Sequence, residues 1–289
     1  MATALPEVRV TYGAGRQSPL RLVAQGLTDI WSRRRLARYL VEADLTKKGA
    51  DTLLGNIWWV MDPLLQMLVY VALITFVARG ALRIEDYPLF VFAAILPWKW
   101  FSSAVNDAIL SVVSRERIIK QVAFPKIILP VSATVGGIAN FAFGIIPLLG
   151  LMLLFYRERL SWALVLIPLV AVVQFVFTLG IAIVLGALNV FYRDVANVAR
   201  HLLRLWFYLS PALYSLDAIS GILDEQPLIR LMFLLNPFTY LFEAYRDVIY
   251  NGTLPPFPEL GALLVVSFVF LGFCIYLFKR LEPAFAKVL

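Results

Sequence analysis

Apolar runs separated by short polar segments organise this chain. Mainly apolar stretches at about 57–77, 88–111, 127–156, 164–190 and 260–278 approach or exceed the ~20 residues an α-helix needs to cross a hydrocarbon core. A further run at 205–216 follows an amphipathic turn carrying Arg193, Arg200 and Arg204. The pattern predicts an all-α polytopic membrane protein with about six transmembrane helices. Trp58 and Trp59 open the first span at the depth where indoles favour the headgroup boundary.

Three stretches depart from this rhythm. Residues 1–25 read as a flexible polar tail, and 26–56 as an amphipathic interfacial helix with its connector. In that helix Leu27, Ile30, Trp31, Val41 and Leu45 share a face, interrupted by Arg34 and Arg38, which would snorkel. The transmembrane domain then covers 57–280, and 281–289 is a second tail. Within it, 217–252 is partly apolar but broken by Gly221, Pro227, Pro237 and Gly252 and punctuated by Asp224, Glu225, Arg230, Glu243, Arg246 and Asp247. Two short re-entrant helices between spans five and six fit this better than a full crossing, since irregular backbone at membrane depth must be covered by protein or line a cavity.

Composition agrees with the pattern. The 289 residues are 61% hydrophobic and 16% charged, with a mean hydropathy of +0.80, whereas a globular chain carries about a quarter charged residues. The net charge of +7 reads as membrane topology and not as a nucleic-acid surface, because of where the cations lie. Most of the 26 Lys and Arg residues fall before the first span, in 112–126, in 191–204 and after 278. The opposite loops hold only Arg79 and Arg83, Arg157 and Arg159, and Arg230 and Arg246. Both termini are therefore expected in the cytoplasm, on a plasma-membrane protein.

The chain carries no recognisable engine. It has no G-x-x-x-x-G-K-[ST] loop and no H-E-x-x-H, and its single histidine (His201) and single cysteine (Cys274) leave no triad, disulfide or thiolate metal site. Work must come from a partner or from an ion gradient. Between the second and third spans, about 114–126, the sequence Arg115-Glu116-Arg117-Ile118-Ile119-Lys120 closes on Phe124-Pro125. A short charged helix of this kind could seat in a partner ATPase, or could be a connector that only obeys the charge rule.

Several segments, in order along residues 44–250, resemble the membrane subunits of ABC exporters for lipid-linked polysaccharides, the O-antigen, capsule and teichoic-acid kind. They are Asp44-Leu45 with Thr52-Leu53-Leu54-Gly55-Asn56-Ile57-Trp58-Trp59 and Asp62-Pro63; Leu96-Pro97-Trp98; Phe124-Pro125-Lys126 with Leu129-Pro130; Asn189-Val190-Phe191-Tyr192-Arg193-Asp194; Tyr208-Leu209-Ser210-Pro211; and Asn236-Pro237-Phe238 with Tyr245-Arg246-Asp247. The resemblance implies a homodimer bound to two copies of an ATP-binding subunit, with ATP and Mg held by that partner and no cofactor on this chain. It implies a coupling helix at Arg115, Glu116, Arg117, Lys120, Phe124 and Pro125, and helices at 217–252 gating an outer exit. The chain departs from these relatives at Lys47-Lys48-Gly49-Ala50-Asp51, where they usually carry an Arg/Tyr-rich run.

Within that frame, the candidate residues follow from chemistry. Arg33, Arg34, Arg35, Arg38, Lys47 and Lys48 could gather the diphosphate of a polyprenyl-linked glycan, or only anionic membrane lipids. Lys99 would lie roughly 16 Å deep at 1.5 Å per residue, and Ser102, Ser103, Asn106 and Asp107 recur near it at helical spacing. Such depth marks either a wet pathway or a snorkelling lysine. Trp58, Trp59, Trp98, Trp100, Tyr208 and Tyr214 could present rings to sugar C–H faces, or form an interfacial belt. Glu243, Arg246 and Asp247 could latch the outer segment. The rival readings are an ABC permease for a drug or lipid, and an ATPase-independent carrier with Lys99 and Asp107 as ion-coupling residues.

Overall fold

The computed structural model describes residues 18–49, 55–77 and 84–289, and the sequence forms helices almost throughout them. Helix α1 (Pro19–Ser32) starts where Ser18 accepts a hydrogen bond from the Arg21 N–H and Pro19 takes the first helical position. It stops at Arg33, whose backbone leaves the helical region, and α2 (Arg34–Gly49) follows. The expected single helix over 26–56 is thus two. Neither floats free: α1 packs on the last helix and α2 on α6 (Ile128–Phe155). Gly26 permits the first contact, since a Cβ there would lie 2.4 Å from Ile275 Cγ2. The helix also begins inside the segment expected to be a flexible tail; the rest of that segment, 1–17, lies outside the described residues.

A short 3-10 turn (Gly55–Ile57) leads into α3 (Trp58–Ala72), which ends in a π turn (Leu73–Val77). Next, α4 (Tyr87–Ser111) forms the axis of the bundle. The most polar of the expected spans is the most enclosed, packing against α3, α6, α7 (Ile167–Phe191) and α8 (Val195–Leu209). Two side chains of α7 fasten it to α4: Gln174 Nε2 donates to the Pro97 carbonyl at 2.8 Å and Asn189 Nδ2 to the Ile109 carbonyl at 3.0 Å. Gly186 allows the same approach, because a Cβ there would sit 3.0 Å from the Ala108 carbonyl oxygen. Polar residues of α7 therefore serve helix packing.

At the end of the bundle nearest α1 and α2, the basic end, a 3-10 turn (Val113–Arg115) and α5 (Glu116–Gln121) link α4 to α6. The expected helix over 114–126 is only this long, and Val122 onward is extended. Pro125 keeps the helix from resuming, since it disfavours helical backbone in Phe124 before it.

After α8 the chain forms α9 (Ser220–Glu225), α10 (Pro227–Leu235), α11 (Pro237–Arg246) and a π turn (Asp247–Asn251), then α12 (Phe257–Val288). Helix α8 ends at Leu209 and not near residue 216, because Ser210 is held extended before Pro211. Conversely, α12 runs to Val288, so 281–289 is helical where a tail was expected. Phe285, fully buried between Phe278 and Phe191, anchors that extension.

Among the described residues, four helical segments are long and apolar enough to cross a membrane: Tyr87–Ser111, Ile128–Phe155, Trp162–Phe191 and Phe257–Val288. The apolar part of α3, Val60–Ala72, is shorter. Helices α10 and α11 form a hairpin turning at Asn236, whose Oδ1 accepts from the Trp206 Nε1–H at 2.9 Å and whose Nδ2 donates to Ser210 Oγ at 2.8 Å. The first residues of α11 reach the middle of α4, with the Phe238 ring 4.7 Å from that of Trp98 and 4.6 Å from that of Phe101.

Candidate functional site

At the basic end, the turn before α5 is braced from inside the chain. Arg115 Nη2 donates to both carboxylate oxygens of Asp44 at 2.6 Å, and its Nη1 to the Ser111 carbonyl at 3.3 Å. Its side chain is only 16% exposed, so Arg115 clamps α2 to the turn and is not itself available to a partner. A charge-assisted hydrogen bond of this kind is stronger than one between neutral groups. Reversing one end (Asp44→Arg) is expected to lower stability, and adding Arg115→Asp to recover part of it. A double-mutant cycle on thermal unfolding should give a coupling of about 1–3 kcal/mol; additive losses would remove the clamp.

Glu116 and Lys120 pair along α5 at 2.6 Å, and Lys120 also reaches the Leu289 carbonyl. The hydrogen bond from Lys120 holds the Glu116 carboxyl below the ordinary carboxylate value, so the pair dissolves only as pH falls through that depressed range. Arg117, Ile118, Gln121, Val122 and Ala123 are exposed, whereas Phe124 and Pro125 are half-buried. The outward face of this turn therefore carries Arg117 and the Glu116-paired Lys120 among apolar and amide groups. Three of the six residues expected there, Arg115, Glu116 and Lys120, bind inward or along their own helix.

The basic residues of the interfacial segment lie on the surface. Arg33, Arg34, Arg35, Arg38 and Lys47 are exposed, Arg34 folds over the Trp31 ring at 5.2 Å, and Arg38 pairs with Glu42 at 2.9 Å. The side chains of Lys48 and Trp59 lie outside the described residues.

The expected pathway residues divide. Trp98 is 5% exposed and enclosed by Phe101, Trp206, Phe207, Phe238 and Phe242, which makes it a core residue. Asn106 bonds back to the Ser102 carbonyl at 2.7 Å. Tyr208 is half exposed, its hydroxyl 3.5 Å from that of Tyr70 on α3, and Tyr214 is half-buried against Phe233. Lys99, Trp100, Ser103 and Trp58 do come together, around a cavity of about 360 Å³ between α3, α4 and α6. Lys99 does not stand alone there: it is paired with Asp62 of α3.

At the opposite end Arg246 is 2% exposed and bonds Glu243 Oε1 at 3.1 Å, the Ala212 carbonyl at 2.8 Å and the Tyr214 carbonyl at 3.4 Å. Asp247 does not join it, accepting from Asn251 Nδ2 at 2.9 Å instead. The three residues expected to form a latch thus resolve into a buried arginine with one acidic partner.

One cluster was not visible in the sequence. Lys279 Nζ donates to Asp29 Oδ2 of α1 at 2.8 Å and to Glu282 Oε2 at 2.5 Å, while Glu282 Oε1 accepts the backbone N–H of Lys126 at 2.6 Å. This string joins α1, α12 and the end of the basic turn. Its only signal was the i, i+3 spacing of Lys279 and Glu282, and nothing pointed to Asp29. Among the described residues no group of acidic, histidine or cysteine side chains could hold a metal ion.

The profile of the ABC-2 type transporter family matches residues 36–250. The chain is 35% identical over 259 residues to an O-antigen export system permease protein of Myxococcus xanthus, covering 90% of this chain and 97% of that protein. Two proteins of the same name from Klebsiella pneumoniae are 28% and 29% identical over 86% of this chain and 93% of their own lengths.

Proposed function

The chain belongs to the ABC-2 type transporter family, and from that premise we propose that it is the membrane-spanning subunit of an exporter that carries a lipid-linked polysaccharide across the plasma membrane. The observation that carries the reading is the similarity to O-antigen export permeases along nearly the whole of both chains. Two copies of the subunit pair with two copies of an ATP-binding protein, which holds ATP and Mg. This chain supplies the path and binds no cofactor.

The parts take their roles from their placement. Both termini and the basic end face the cytoplasm, as the distribution of Lys and Arg requires. Residues 113–123 dock on the ATP-binding partner through Arg117, Ile118, Gln121 and Val122, with the Asp44–Arg115 clamp making the turn a stiff extension of α2 and α4. The exposed arginines of 33–38 gather the diphosphate at the inner leaflet. The α10–α11 hairpin covers the outer exit.

The reading is tested in the organism that makes the chain. Depletion is expected to stop delivery of the surface glycan and to leave its lipid-linked form on the inner face. Arg117→Glu with Val122→Asp is expected to reduce co-purification of the ATP-binding subunit more than tenfold, since it sets a charge into an apolar contact. Surface glycan unaltered by depletion would overturn the reading, and complex formation unaltered by the double substitution would overturn the docking face.

A further inference from the structure

Helix α8 has three sides. One is packed: Ala199, Leu203 and Phe207 are buried where the helix meets α4 and α7. The exposed remainder divides in two. Val198, Leu202, Leu205 and Leu209, each about half exposed, follow one another at helical spacing and form an apolar stripe. Beside it Arg200, Arg204 and Tyr208 recur every fourth residue, with Asn197 and His201 on the same flank, and all of them are exposed. Among the described residues Arg200, His201 and Arg204 have no acidic partner within ion-pair distance.

This basic stripe descends from the basic end toward the middle of the bundle. Helix α8 starts at that end, beside the close of α7, where Asn189 bonds the Ile109 carbonyl of α4. Further along, the Trp206 ring lies 5.6 Å from that of Phe101, near the middle of α4. Arg204 precedes Trp206 by two positions, whereas α4 continues from Phe101 to Ser111 before it ends. At 1.5 Å per residue the Arg204 backbone is therefore roughly 12 Å inside the basic end of α4, and that of Arg200 roughly 6 Å. One turn deeper the Tyr208 hydroxyl stands 3.5 Å from that of Tyr70 on α3, which Gln66 reaches at 3.4 Å. A polar line thus runs along the outside of the folded chain from the basic end to the place where α8 meets α3.

An unpaired guanidinium at this depth is costly against hydrocarbon, and set against the same stripe of a second copy it would meet its own charge. The apolar stripe suits either neighbour, whereas the basic one calls for an anion. The Cα–Cβ bonds of a helix lean toward its N-terminus, here the basic end, so both arginines reach toward the membrane surface. The anions a membrane brings there are the phosphates of its lipids. Guanidinium forks bind phosphate oxygens in pairs, and two forks one helical turn apart can hold two linked phosphates together. We propose that the Arg200–Arg204 stripe of α8 is a binding site for the diphosphate of the lipid-linked glycan, one guanidinium on each phosphate, with His201 beside them and the Tyr208 hydroxyl at the inner end. The site rests on the export reading above and lies deeper than the arginines of 33–38, which gather the same group at the surface.

The test uses the full chain in phosphatidylcholine nanodiscs with geranylgeranyl diphosphate as the probe, its affinity read by microscale thermophoresis. Arg200→Gln with Arg204→Gln is expected to weaken binding more than tenfold, and Arg204→Lys to weaken it less than Arg204→Gln. Arg280→Gln with Lys287→Gln takes the same charge from exposed positions on α12 at the same end, and is expected to change the affinity less than twofold. All four positions are exposed, so thermal unfolding should stay unchanged throughout. Phosphatidylglycerol added to the nanodisc at the concentration of the probe is expected to compete weakly. Binding unchanged in Arg200→Gln with Arg204→Gln, or weakened equally by the two double variants, would overturn the site. Full displacement of the probe by phosphatidylglycerol would overturn the diphosphate assignment and leave a phospholipid site. Each of these results leaves the export reading intact, whereas surface glycan unaltered by depletion overturns that reading whatever the stripe binds.

Discussion

Replacing Lys279 by methionine is expected to loosen α1 from α12 and to destabilise the protein by about 3–5 kcal/mol, the cost of removing one partner from a buried ion pair. The volume of the side chain is nearly kept, so the effect isolates the charge. Lys279 is 9% exposed and Glu282 8%, and without the ammonium Glu282 keeps only the Lys126 N–H as a donor while Asp29 loses its ion-pair partner. Glu282→Gln removes the charge but leaves an oxygen for the Lys126 N–H, and Lys279 keeps Asp29; its cost should be clearly smaller. Thermal unfolding in detergent would show the methionine variant lower by about 10 °C, with faster hydrogen exchange over 19–32. Equal melting of the two variants, or exchange confined to α12, would show that the string does not hold α1.

That string explains why the sequence revealed less at the basic end than elsewhere. The hydrophobic runs placed α4, α6 and α7 within a few residues, because a helix in an apolar solvent must be apolar for its whole length. The break at Arg33 and the docking of α1 were hidden, since they depend on Gly26 meeting Ile275 and Asp29 meeting Lys279, partners some 250 residues away. The resemblance turned Arg115 toward a partner protein, but Asp44 claims it. The aromatics divided for a similar reason. Trp98 and Trp100 look alike in the sequence, yet two positions along a helix turn the first into the cluster around Phe238 and the second onto Phe141 beside the cavity. Lys99 was conspicuous as an intramembrane charge, whereas Asp62, its counter-charge, was passed over inside a motif read for resemblance alone.

Arg246→Met is expected to be at least as damaging as Lys279→Met, and for a different reason. The guanidinium lies 3.7 Å from the Phe90 ring and satisfies carbonyls of Ala212 and Tyr214 while pairing with Glu243. Those carbonyls belong to the turns and bends that follow Ser210, where no helix supplies donors. Methionine would strand both, and would leave Glu243 partly buried without its counter-charge, for a combined cost of about 3–5 kcal/mol. Arg246→Lys keeps the charge but not the planar fork, so it cannot reach Glu243 and both carbonyls together while lying flat on Phe90; about half of the loss is expected to remain. The double variant Arg246→Met with Glu243→Met should recover part of what Arg246→Met loses, because the unpaired carboxylate goes with it. Hydrogen exchange over 208–216 reports the anchoring directly: protection lost in Arg246→Met, partly kept in Arg246→Lys, would show that this one side chain ties α11 to the end of α8 and makes the α10–α11 hairpin move with it. Protection unchanged in Arg246→Met would mean that the Asn236 contacts to Trp206 and Ser210 hold the hairpin without it.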